Sequence, residues 1–84
     1  MPSDYLKLMG TEWKVRIANV ASGNGVGSPE YVGEANPNTA TSAVGWRIKK
    51  ITYDSNGNPT EVNWASGNAN RDKIWDSRTT YAYS

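Results

Sequence analysis

Apolar and polar residues alternate along much of this chain with the two-residue period of β-strands. The clearest stretch is W-R-I-K-K-I-T-Y-D-S-N-G-N-P-T-E-V-N-W, from Trp46 to Trp64. Trp46, Ile48, Ile51, Tyr53, Val62 and Trp64 are residue types that fit a pleated, half-buried surface. Between the two runs lies Asp54-Ser55-Asn56-Gly57-Asn58-Pro59. Asn-Gly supplies the positive φ angles of a tight reversal, and Pro59 cannot continue a sheet ladder. The pattern predicts a central hairpin over residues 46–64. Its first strand changes phase, since Trp46 and Ile48 share one parity and Ile51 and Tyr53 the other. A β-bulge near Lys49-Lys50 is expected to bring all four to one face. The return strand sets Val62 and Trp64 against Glu61 and Asn63.

Residues 12–20 form the next clear strand, with Trp13, Val15 and Ile17 on one face and Lys14 and Arg16 on the other. Such alternation marks a half-buried strand. Residues 21–29 read as a glycine-rich loop, and residues 30–35 as a short strand carrying Tyr31 and Val32. A small, polar connection follows over residues 36–45. After the hairpin come a polar loop at residues 65–73 and an apolar plug, Ile74 and Trp75. The end of the chain reads as a strand with Thr79, Tyr81 and Tyr83 on one face. Residues 1–10 read either as a helical turn capped by Ser3 or as an extended arm whose Tyr5, Leu6 and Leu8 pack on a neighbouring subunit. The predicted fold is all-β: one small antiparallel sandwich or barrel-like domain over residues 11–84, with a possible N-terminal arm.

Composition narrows the function. At 84 residues, a domain buries only about 60–65% of the surface its unfolded chain exposes, so its own core is marginal. Cysteine and histidine are absent, which removes disulfides, thiolates and the usual zinc ligands. Self-association or docking on a larger body is then the expected source of extra stability. The net charge is +1, and the densest basic spot, Arg47 with Lys49-Lys50, splits between two strand faces. No nucleic-acid footprint results. No apolar run approaches the ~18 residues of a membrane span, and the first residues lack the basic and apolar regions of a signal peptide. Trp and Tyr supply all the aromatics; both carry a polar handle on an apolar body and suit interfaces.

No constellation points to catalysis. The usual bases and nucleophiles, His and Cys, are missing, and Glu12, Glu30, Glu34 and Glu61 show no pairing suited to glycoside hydrolysis. The glycines of residues 21–29 precede Pro29-Glu30-Tyr31-Val32, without the helix and lysine of a phosphate loop. Asp54, Asn56 and Asn58 fall at alternate positions like the start of a calcium loop. The glycine at the fourth position and Ala65 at the twelfth break that pattern, so turn chemistry explains them better. No catalytic, cofactor-binding or metal-binding residue is expected. Trp13, Trp46, Trp64, Trp75, Tyr81 and Tyr83 are the candidates for core or subunit contacts. A carbohydrate-binding module is the alternative, with Asn68, Asn70, Arg71 and Asp72 beside Trp75 as the glycan-contact loop, because aromatic faces stack on sugars and amides bond their hydroxyls.

The run from Gly45 to Asn70, followed by I-W-D-S-R-T-T-Y-A-Y-S, resembles small virion structural proteins of tailed bacteriophages. Their pattern is Y-x-G-x-A, W-x-I-x-x-I, W-A-x-G-N and a terminal W-D-x-R-x-x-x-x-Y. Here it falls on Tyr31, Gly33 and Ala35; on Trp46, Ile48 and Ile51; on Trp64, Ala65, Gly67 and Asn68; and on Trp75, Asp76, Arg78 and Tyr83. The resemblance covers residues 31–84, and its motifs are specific as a set and weak singly. It departs at Ser66, where many relatives carry Asp. It implies a virion part without assigned chemistry, built from copies of itself, with a trimer favoured, and from other virion proteins. Tail, tail fibre or another appendage is the expected location. Capsid decoration is the close alternative, and a host surface glycan is a further possible partner.

Overall fold

The computed structural model describes residues 13–84; the expected arm or helical turn at residues 1–10 lies outside them. The chain forms the all-β, antiparallel domain that its alternation predicts. Strands β1 (Lys14–Asn19), β2 (Pro29–Ala35), β3 (Val44–Tyr53) and β4 (Pro59–Trp64) pair in sequence order. The two-residue β5 (Lys73–Ile74) pairs with the first part of β3, and a 3-10 helix, Trp75–Thr80, follows it.

The hairpin stands where the pattern put it. Asp54 Oδ1 accepts the backbone N–H groups of Asn56 (2.9 Å) and Asn58 (3.0 Å), and Gly57 takes φ 81°. Asp54 and its neighbours are therefore spent on turning the chain. Pro59 begins β4, where a missing N–H is tolerated.

The expected bulge at Lys49-Lys50 is absent. Register runs evenly through both residues, with Lys49 opposite Trp64 and Lys50 opposite Asn63; the irregularities fall at Thr52/Tyr53 and Val44/Trp46. Trp46 and Ile48 therefore face one side of the sheet and Ile51 the other. The apolar phase change in the sequence records a sheet with apolar residues on both faces.

One face, here called inner, is built from Ala18, Tyr31, Gly33, Ala35, Trp46 and Ile48. Its cover is a second layer made by the C-terminal segment rather than by another sheet. Ala65 and Trp75 complete the buried cluster, and Tyr81 and Tyr83 pack against it. A Cβ on Gly33 would lie 2.5 Å from Trp75 Cε3 and 3.1 Å from Trp46 Cε3. Only a residue without a side chain lets the two indoles, 5.8 Å apart between centroids, sit on β2. The connection over residues 36–43 closes the layer, with Ala40 O accepting from Trp46 Nε1 (3.0 Å) and Thr41 O from Asp76 N (3.0 Å).

The terminal strand predicted through Thr79, Tyr81 and Tyr83 is a 3-10 helix and a tail instead. Short polar side chains turn it: Thr80 Oγ1 donates to Ser77 O (2.6 Å), bonds that compete with a sheet ladder. The tyrosines then fasten the turn. The Ile74 N–H donates to Tyr81 Oη at 2.8 Å, and Tyr83 Oη donates to Arg78 O at 2.7 Å. Strand pairing survives at a single bridge, Ala65 to Tyr83.

Candidate interaction surface

Antiparallel register places every second residue on the sheet's other, outer face. Ile17, Val32, Lys49 and Trp64 form one row across all four strands, beside Val15, Glu34 and Arg47 on one flank and Ile51 and Val62 on the other. Trp13 continues the row of β1. Trp13, Val15, Ile17 and Val62 are 39%, 49%, 57% and 56% exposed. The alternation in β1 was legible; its meaning was not. Its apolar face points to solvent, while Lys14 and Arg16 lie on the inner side, where Lys14 Nζ donates to Thr39 O at 3.1 Å.

The charges in the central rows of this face are already engaged. Arg47 Nη2 meets Glu34 Oε1 at 2.6 Å, with both side chains about one-third exposed. Lys49 Nζ lies 5.7 Å from the Trp64 ring centre. Arg71 stacks on Trp13 at 4.0 Å, and Arg47 stands 5.9 Å from the same ring. Cations over indole faces are attracted by the ring quadrupole, by about 0.5–1 kcal/mol at exposed sites.

The six aromatic candidates divide. Trp46 and Trp75 are core, the latter 3% exposed. Tyr81 and Tyr83 half-bury against that core. Trp64 and Trp13 belong to the outer face. Tyr83 also contacts Tyr31, 5.6 Å between ring centres. Burial, followed by the neighbouring Tyr31 and Tyr81, pushes its phenol well above the ordinary 10.0.

The loop of Asn68, Asn70, Arg71 and Asp72 is occupied with internal contacts. Asn68 Oδ1 accepts from Asn70 N (3.0 Å) and Lys73 Nζ (3.1 Å), and Asp72 pairs with Lys73. Trp75, the sugar-stacking partner expected beside this loop, presents no open ring face. The aromatic next to the loop is Trp13, with Arg71 over its ring. Sequence reasoning missed Lys73, which is buried at 4% exposure; a lysine in a polar loop gives no sign that it will be enclosed by its neighbours' carboxylate and amide. Ser66 adopts φ 58° and Gly67 φ 73° in the turn after β4, a left-handed region that Asp and Asn enter more readily than Ser.

Among the described residues, no three His, Cys, Asp or Glu side chains converge as a metal site would require. What the described residues define is a small antiparallel β domain with one covered face and one exposed apolar face. Compared with protein-family models, curated proteins and solved structures, the chain matches none.

Proposed function

We propose that this chain is a non-enzymatic structural protein of a tailed-bacteriophage virion, working by self-association in the tail, a tail fibre or another appendage. The observation that carries the assembly part is the outer face. More large apolar side chains lie there than in the buried cluster, and contiguous exposed apolar surface marks sites of protein contact. The virion part rests on the sequence pattern of residues 31–84. Tyr31, Gly33, Ala35, Trp46, Ile48, Ala65, Trp75 and Tyr83 of that pattern meet in the inner layer. The pattern thus describes a way of covering a sheet, and the assembly contacts come from residues largely outside it.

Light scattering across a dilution series tests the self-association. A discrete oligomer that dissociates on dilution supports the reading, and a monomer at every concentration overturns it. Antibody labelling of phage particles in the electron microscope tests the location.

A further inference from the structure

We propose that the occupant of the outer face is a second copy of this chain, the two sheets stacking face to face about a two-fold axis. This deepens the self-association reading and rests on it. Each sheet would then lie between its own C-terminal layer and the sheet of its partner, completing a sandwich that one chain builds only half of.

Three observations select this occupant. First, the central rows of the outer face are ready to lose water: Glu34 is paired with Arg47 at 2.6 Å and Lys49 is the one charge there without an acidic partner among the described residues, while Glu30, at the start of β2 with the parity of Val32 and Glu34, stands at the margin. Second, the sheet edges are poor alternatives. At the β4 edge, Trp64 and Ser84 exchange backbone bonds of 3.1 Å in both directions. At the β1 edge, Lys14 and Arg16 stand on the inner side, and charges so placed discourage an added strand. Third, the chain's own core is small. Among the described residues, Val20, Ala35, Trp46, Ile48, Ala65 and Trp75 are the buried apolar ones, and chains of this size gain missing burial by oligomerising. A second copy is available wherever the first is, and two equally twisted sheets stack readily at about −30°.

The area bounds the size of the contact. Four strands about 4.8 Å apart and roughly 20 Å long give a face of roughly 400 Å². Two copies bury roughly 800 Å², below the ~1,200 Å² at which specific complexes begin. A contact of that size is a weak, reversible one, and its two-fold axis makes it a dimer in place of the trimer favoured from sequence.

The absence of cysteine permits a direct test with a single introduced thiol. Ile17→Cys places it in the central row, at a position 57% exposed whose change leaves the core intact. Asn56→Cys, in the exposed hairpin turn, is the reference. The expected result is that Ile17→Cys labelling slows about tenfold, relative to Asn56→Cys, once about nine-tenths of the protein is paired. Light scattering on the same samples separates the outcomes. Slow labelling at all concentrations in a monomer means that residues 1–12 of the same chain cover the face, which overturns the proposal. Fast labelling in an oligomer places the contact elsewhere, overturning the proposal while leaving self-association standing. Fast labelling in a monomer ends both. As a second arm, Ile17→Lys should weaken pairing at least tenfold and Lys49→Leu should strengthen it, each with an unchanged circular dichroism spectrum. Equal affinities for both variants and wild type would likewise overturn the proposal.

Discussion

Gly33 shows how much one residue decides here. Its missing side chain is the space in which Trp75 lies, so Gly33→Ala forces both indoles to shift within a close-packed layer. Overpacking of this kind costs about 1–3 kcal/mol, and urea denaturation should show that loss with an unchanged m-value. A loss under about 0.5 kcal/mol would mean that the cover slides freely. Tyr83 adds a pH signature. Its phenol is raised by burial and by its tyrosine neighbours, and only the protonated form donates to Arg78 O. The folded state therefore holds that proton more tightly than the unfolded state. Its contribution is complete below about pH 10 and declines as pH rises from there towards the folded-state value. The measurement is an ultraviolet titration. One tyrosine ionising clearly after the rest in wild type, and no such late step in Tyr83→Phe, is the expected result.

At the scale of elements, the hairpin and the C-terminal cover differ in what makes them. The hairpin is local: Asp54, Asn56, Gly57 and Asn58 form their turn with bonds no longer than 3.0 Å between close neighbours. Asp54→Ala removes the one oxygen that accepts both backbone N–H groups at this exposed site, a loss of about 1 kcal/mol. Calorimetry should show that decrease without any change in the near-ultraviolet signal of the buried tryptophans; a changed signal would mean that the turn also sets the core. The cover is tertiary. Thr79, Tyr81 and Tyr83 alternate well enough to suggest a strand, yet β3 already pairs with β2, β4 and β5. The segment turns over the inner face instead, because Trp75 buries more surface there than an edge position offers. In and beside this layer, Asn63 Oδ1 and Arg78 Nε have no protein hydrogen-bond partner among the described residues.

For the whole molecule, the balance is a small covered core against a larger uncovered apolar face. If a second copy completes the domain, folding and association are linked, and mass action raises the apparent stability with concentration. The melting temperature should then climb by a few degrees between low and high micromolar protein, since about 1 kcal/mol shifts a domain of this size by roughly 4–8 °C. Ile17→Lys should remove that dependence while leaving the low-concentration value unchanged. A melting temperature independent of concentration in wild type would count against linked assembly.

By itself, the sequence determined the local features of this protein. The antiparallel all-β class, the hairpin turn at residues 54–59, the alternation of β1 and the pairing of Val62 with Trp64 on one face all follow from backbone periodicity and turn chemistry. Those forces act between residues a few positions apart. The tertiary structure alone decided which face is inside. Alternation states that Trp13, Val15 and Ile17 lie together, but not that Trp75 and the tyrosines come to rest on the opposite side. The same is true of Lys73, buried where β5 pairs with Trp46 of β3, and of Trp64, left on the outer face with Lys49. Burial depends on what arrives from elsewhere in the chain, and a period of two contains no sign of which side it arrives from.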